Sequence, residues 1–534
     1  MNHNMERNIT LPPDPARVME GLRDTGYNFN TAAADIIDNS IAAKASKVDI
    51  SINLDAAQNI TVLFADNGCG MNEEELLNAM KYGSRERQNA ASLGKFGLGL
   101  KTASTAFCRS LSVISRGNDN VMRKVQWDLD HIVEKGDWEL LIPDVTEDER
   151  STLEETCSDG TGTLVVWDKI DRLLQNSKTP ARKSLKRIEG VLRFHISLVY
   201  QRFLDKNDHR APYVEISLNG KSIAPWDPFC SKEPNSTILG QNLIEIESTD
   251  DSVQGELLIK SVLIPRKEEF SSAAAAECAL IQNSMQGFYI YRENRLIHYG
   301  DWMGMFINEP HGTLLRVELS FDHNLDKAFS IDIKKSRILL NEDIFDEIKN
   351  KILPAPRRAA DERYRLGTQK KAAEVSKTAH DAANQNIEQK AHSVEQSKIT
   401  VTDIAKGEVE ICNKNGVTKS TLTIKSSGDQ NKCRVIPVQD LEAGVLWHPA
   451  LYDEKHAVEI NTSHPYYQKI YLPVISQSVM VTGMDALLWA FSEAEFATYS
   501  EETKEAYEDM RIYVSQFLKK LVKDLPDPDF EVNK

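Results

Sequence analysis

Leu93-Gly94-Lys95-Phe96-Gly97-Leu98-Gly99-Leu100-Lys101-Thr102-Ala103-Ser104 is the stretch on which the fold turns. Glycines at 94, 97 and 99 let backbone amides point inward with no Cβ in the way, which suits a bound phosphate chain. The Ala-, Leu- and Lys-rich run over residues 98–108 predicts a helix whose positive N-terminal end faces the same anion. Taken alone, the stretch serves equally as a tight turn before a buried helix. It is no Walker-type loop, because Leu100 separates Gly99 from Lys101-Thr102.

Working outward, residues 31–45 predict a helix with Ile36, Ile37 and Ile41 as its apolar stripe and Ala33 and Ala34 alongside. Asp35 and Asn39 lie one turn apart on one face. A carboxylate and an amide stacked this way hold a water and a cation together, or form a solvated polar face. Val48, Ile50, Ile52 and Leu54 alternate as a half-buried strand does. A second strand over residues 60–65 runs into Asp66-Asn67-Gly68-Cys69-Gly70-Met71. A carboxylate there, followed by two glycines, is a turn, and it also presents one acceptor to an exocyclic amine. Glu73, Glu74 and Glu75 open a helix in favourable register with its dipole. Strands follow over 111–115 and 121–129, and Gly160-Thr161-Gly162-Thr163 enters another over 164–167. Residues 1–30, with Pro12-Pro13 and few apolar positions, read as an extended arm.

Four elements in order, Asp35-x-x-x-Asn39, Asp66-x-Gly68-x-Gly70, Gly94-x-x-Gly97-x-Gly99 and Gly160-Thr-Gly-Thr163, resemble the GHKL (Bergerat-fold) ATPase superfamily. That superfamily includes gyrase B, MutL, MORC proteins and the ninety-kilodalton heat-shock chaperone. The wording is most similar to the MORC/MutL branch, and the resemblance covers about residues 15–190. It implies that ATP and Mg²⁺ are the cofactors. Asn39 would ligate the magnesium that bridges the phosphates, a task suited to an amide oxygen. Asp66 would accept from the adenine amino group, with Gly68, Gly70 and Met71 shaping the base pocket and Thr163 supporting Asp66. Gly94, Phe96, Gly97, Leu98, Gly99 and Leu100 would wrap the phosphates, with Lys95 and Lys101 as charge partners and residues 82–100 as a lid.

One departure matters. The family places Glu four residues before the Asn as general base, and this chain has Asp35, one methylene shorter. General-base help is worth about 10²–10⁴ in rate, so a displaced carboxylate leaves a slow ATPase or mainly an ATP binder. Ala42-Ala43 stands where the family often has Asp-Ala.

Further along, residues 287–297 (Gly-Phe-Tyr-Ile-Tyr-Arg-Glu-Asn-Arg-Leu-Ile) resemble the hairpin of the GHKL transducer domain. In that family a lysine after a late transducer strand reaches the γ-phosphate. Period-2 alternation from Phe329 puts Lys335 on the face of Ile331 and Ile333, which favours it over Lys334. Residues 354–398 read as a polar helical linker, with no sustained heptad. The expected architecture is therefore α+β. It comprises a Bergerat-type α/β sandwich over 1–190, an S5-like transducer over 191–353, the linker, and a mixed region of unassigned role over 399–534.

Composition bounds the rest. The 534 residues exceed one core, and no apolar run nears the ~20 residues of a membrane helix. The seven cysteines form no CxxC pair, which reads as reduced thiols in a cytoplasmic protein with no zinc site. His448, Asp453, Glu454, His456 and His464 cluster in sequence but match no zinc spacing. A net charge of −16 leaves nucleic acid only local basic patches, at residues 178–193 and 357–371, each also readable as a solvated helix face. The resemblance implies a clamp that homodimerises on ATP and handles DNA in repair, restriction or phage defence, with partner proteins of the same system. The alternative is a chaperone-like or scaffold ATPase with a protein client. No phosphoacceptor-histidine helix precedes the nucleotide domain, which disfavours a histidine kinase.

Overall fold

The computed structural model describes residues 13–24, 26–82, 99–158, 160–175, 179–247, 254–326, 329, 342–364, 379–404, 406–414, 416–425, 433–474, 478–498, 500–523 and 525. The fold is α+β, in two compact units, residues 1–360 and 361–534. No described helix is long and apolar enough to cross a membrane.

The first unit opens with a helix where an extended arm was expected. Asp14 accepts from the Arg17 amide and Pro15 takes the first helical position, so α1 (Pro15–Arg23) starts where the prolines stand. Met19 and Arg23 anchor it in the core. Asn28 caps α2 (Phe29–Ala42) by accepting from the Thr31 amide. Helix α2 is buried on most sides, from Ala32 through Asp38, so Asp35 does not lie on a solvated face.

Seven strands form one sheet in the order β4-β3-β5-β2-β1-β6-β7. They are β1 (Lys47–Leu54), β2 (Ile60–Asp66), β3 (Cys108–Arg116), β4 (Met122–Asp128), β5 (Gly162–Ile170), β6 (Glu215–Leu218) and β7 (Lys221–Ser222). All neighbours are antiparallel except β1 and β6. Strand alternation separates the two faces. Val62, Phe64, Leu111, Val113, Val165 and Trp167 join the core under α1, α2 and α7 (Ala181–Val199). Ala65, Ile114, Leu164 and Val166 point the other way, onto the helix Glu147–Cys157. Strand β6 extends this sheet past residue 190, because it pairs with β1.

A second sheet follows, ordered β11-β10-β12-β9-β8: β8 (Thr237–Glu247), β9 (Gln254–Leu263), β10 (Gly287–Arg292), β11 (Arg295–Asp301) and β12 (Leu315–Phe321). Glu293 and Asn294 both have positive φ, the two-residue turn that matches strand twist. Phe329 packs edge-on to Phe321 at 4.6 Å.

The second unit carries two small sheets, one of residues 397–421 and one ordered Thr423–Lys425, Trp447–Tyr452, Lys455–Asn461, Val435–Val438. The helix Asp381–Val394, inside the stretch read as linker, buries Ala383, Ile387 and Ala391 in this unit's core. Its small and β-branched apolar face was too sparse to register as amphipathic in the sequence.

Candidate functional site

Asp66 ends β2 with its carboxylate inside the protein, 6% exposed. Three donors address it: the Ser40 hydroxyl at 2.8 Å on one oxygen, the Gly68 amide at 2.9 Å on the other, and the main chain of Thr163. Burial raises the carboxyl above its ordinary range, and those three bonds pull it partly back. Thr163 lies opposite Asp66 in the β2–β5 register, and its hydroxyl is 3.0 Å from Ser115 Oγ. Ser115 in turn accepts from the Met71 amide at 2.9 Å. The ends of β2, β3 and β5 are thus knitted into one polar pocket wall.

The turn after Asp66 leaves no room for side chains at its glycines. A Cβ on Gly68 would stand 2.8 Å from that of Ala43, the residue that closes α2. Gly70 has φ +64°, and a Cβ there would strike the Arg116 carbonyl. The Thr161 hydroxyl donates to the Gly68 carbonyl at 2.7 Å, so the Gly160–Thr163 run braces the turn from the other side.

Asp35 and Asn39 stand on α2, the helix whose Ser40 bonds Asp66. Asp35 is 6% exposed and accepts from the Tyr27 hydroxyl at 2.9 Å, whereas Asn39 is half-buried. Helix α4 (Gly99–Thr105) begins against them, with the Cβ position of Gly99 3.4 Å from Asp35 Oδ2. Leu100 packs partly buried on the core. Lys101 is 1% exposed and donates to the Ala79 carbonyl at 2.9 Å, at the C-terminal end of the helix Glu73–Met80. There its charge complements the helix dipole. Gly94, Lys95, Phe96, Gly97 and Leu98 lie outside the described residues, as do Lys334 and Lys335.

A buried carboxylate acceptor at a strand end, with an acid and an amide on the facing helix, fits adenine at one end and a metal–phosphate group at the other. The family model described as histidine kinase-, DNA gyrase B- and HSP90-like ATPase matches residues 27–163, the span that holds every one of these groups. Residues 27–163 are a GHKL-type ATPase domain. No curated protein matches the chain. As a GHKL domain this part of the chain binds ATP, and the hydrolysis such domains carry out is the activity it supports.

Several groups in the ATPase domain escaped sequence reasoning. Ser40 follows Asn39 directly, but its partner Asp66 is 26 positions away. Asp38 is fully buried and bonded to Arg295 of β11 and to Tyr200. No local pattern announces those partners.

The histidine-rich stretch of the second unit resolves into separate structural roles. Asp453 and Glu454 form a tight turn at positive φ, and His464 is bonded to the Ser515 carbonyl. Among the described residues, Glu395, His456 and Glu493 bring one ligand atom each within 4.8 Å of one another. Arg434 already occupies that group, donating to Glu395 at 2.6 Å and to the His456 carbonyl at 3.1 Å.

Proposed function

We propose that the chain is an ATP-dependent clamp of the MORC/MutL-like GHKL type, a slow ATPase that dimerises on ATP and handles DNA in the cytoplasm. The observation that carries the ATP half is the buried Asp66 acceptor facing Asp35 and Asn39 inside the matched span. Asp66 takes the adenine amino group, with Gly68, Gly70 and Met71 lining the base pocket. Asn39 holds the magnesium, whose charge offsets that of the phosphates. Asp35 receives the proton of the attacking water, and its short side chain makes turnover slow. Gly94, Lys95, Phe96, Gly97, Leu98, Gly99 and Leu100 enclose the phosphates, and Lys101 steadies the loop base. Lys335, or its neighbour Lys334, brings a positive charge to the γ-phosphate from a transducer domain over residues 191–353.

DNA as client is supported by the four basic residues Arg182, Lys183, Lys186 and Arg187, all exposed on α7. A protein client is the second reading, favoured by the net charge of −16. Binding of a non-hydrolysable Mg–ATP analogue tests the site. Asn39→Ala is expected to abolish binding. Asp35→Asn is expected to keep it and lower turnover by at least ~10²-fold. Wild-type turnover in Asp35→Asn would place the base elsewhere.

A further inference from the structure

Building on that reading of α2, we propose that Arg295 is a positioning residue for hydrolysis. Through Asp38 it fixes the helical turn that carries Asp35 and Asn39.

The geometry is direct. Arg295 opens β11 and sends Nε to Asp38 Oδ1 at 2.8 Å, joining positions 257 residues apart. Tyr200, just past α7, lies within hydrogen-bond distance of the same Asp38 oxygen at 2.8 Å and of the Ala34 carbonyl at 2.7 Å. Asp38 stands three positions after Asp35 and directly before Asn39, and Ala34 directly precedes Asp35. The two bonded groups therefore bracket the proposed base along the helix. All three members are buried: Asp38 0%, Tyr200 0% and Arg295 5% exposed.

Stability alone does not account for this choice of residues. A buried ion pair recovers its desolvation cost only with good geometry, and well-packed apolar groups often do as well. Directional bonds add what apolar packing lacks, a fixed rotation and axial position of α2. A displacement of about 1 Å at a reacting group costs on the order of 10²-fold in rate. Burial disfavours the Arg295 charge, yet Asp38, Tyr200 and Asp35 together hold it above its ordinary pKa. The guanidinium accordingly stays charged at any working pH.

The hairpin that supplies Arg295 is itself anchored. Arg292, at the end of β10, pairs with Asp326 at 2.6 and 2.8 Å. Asn294 in the turn donates to the Arg210 carbonyl at 2.7 Å and accepts from Arg202 at 3.0 Å. One hairpin thus grips Asp38 of α2 on one side and Asp326 on the other.

Arg295→Met, Asp38→Asn, Tyr200→Phe and Arg295→Lys are to be compared for analogue affinity, kcat and melting temperature in the full chain. The expectation is a ~10–100-fold fall in kcat for Arg295→Met, with affinity kept within about threefold. Asp38→Asn should fall similarly, and the double variant no further. Arg295→Lys should recover part of the rate. Unchanged kcat in a folded Arg295→Met overturns the proposal, as does a loss of affinity that matches the loss of rate. If Arg295→Met does not fold, Tyr200→Phe decides: reduced kcat at preserved affinity supports the proposal, and wild-type kcat overturns it. Asp35→Asn runs in parallel. Normal turnover there would place the base elsewhere and remove the reading of α2 on which this inference rests, whereas a dead Asp35→Asn beside active Arg295 and Tyr200 variants would defeat this inference alone.

Discussion

Asp66 holds a buried carboxylate at a strand end with capacity to accept one more hydrogen bond. Its carboxylate is 6% exposed and its pKa is raised by burial, yet three donors hold it in place. Each carboxylate oxygen has two lone pairs, so an arriving amine donor would add a further bond to these. Asp66→Asn turns one accepting oxygen into an NH₂, from which the Ser40 hydroxyl can accept while the amide oxygen keeps the Gly68 bond. The loss falls on the acceptor proposed for the adenine amino group, about 1–3 kcal/mol. Titration calorimetry with ATP is expected to show affinity lower by at least ~10-fold, with a reduced melting temperature as well. His195 supplies a pH test with a definite sign. Burial, then the charge of Arg295, depresses its pKa to about 4 from 6.5, and its buried Nε2 has no hydrogen-bond partner among the described residues. The folded protein keeps His195 neutral where the unfolded chain takes up a proton. Stability contributed by the neutral ring is therefore complete above pH ~6.5 and is lost as pH falls toward 4, by ~3 kcal/mol at most. Urea midpoints measured from pH 7.5 to 4.5 should fall less steeply in His195→Gln than in the wild type; parallel curves would show that the ring titrates normally. Asp35, Asn39 and Asp66 were legible in the sequence because each sits in a short motif with fixed spacing. Ser40 and Arg295 were not, since what gives each its role is a partner 26 and 257 positions away.

At the scale of elements, alternation and caps carried most of the information. Strands β1, β2, β3 and β5 keep period-2 patterns whose two faces the core separates cleanly. Asn72 and Glu75 form a reciprocal cap that starts a helix at Glu73, as the acidic run indicated. The misses have equally local causes. Pro12-Pro13 and few apolar positions suggested an extended arm, but Pro15 beside the Asp14 cap is a helix start. Strand β8 went unread because two of its large apolar residues, Ile238 and Leu243, are exposed and give no half-buried alternation. The turn between β2 and the next helix offers a test at this scale. Gly70→Ala forces a side chain into φ +64° against the Arg116 carbonyl, where the conformational cost alone is ~1–2 kcal/mol. A melting temperature lower by several degrees is expected, with ATP affinity reduced alongside, because the same turn shapes the base pocket. A neutral Gly70→Ala would mean that the turn can relax away from Arg116 without disturbing the site.

For the whole molecule, charge separates the two clients proposed for the ATPase, DNA and protein. A chain with net charge −16 is repelled by a polyanion everywhere except at local patches. Arg182, Lys183, Lys186 and Arg187 are exposed along the first turns of α7, where Ser184 and Leu185 are buried. In the second basic stretch the Arg357 guanidinium lies 3.6 Å from the centre of the Phe306 ring, so that one side chain serves packing. If DNA is the client, affinity falls with salt at a slope of about −0.9 per phosphate neutralised. Replacing the four α7 residues with glutamine should then flatten the slope by up to ~3–4. Sedimentation with the Mg–ATP analogue should meanwhile still show ATP-linked dimers, because the patch is not part of the nucleotide site. Duplex binding that tightens with the analogue and weakens in the glutamine variant supports the clamp on DNA. Dimerisation on ATP with no salt-dependent duplex binding assigns the same cycle to a protein client instead. The absence of both in a variant-free preparation would leave an ATPase domain with no clamp, and the proposed function would have to be withdrawn at this scale while the nucleotide site stood.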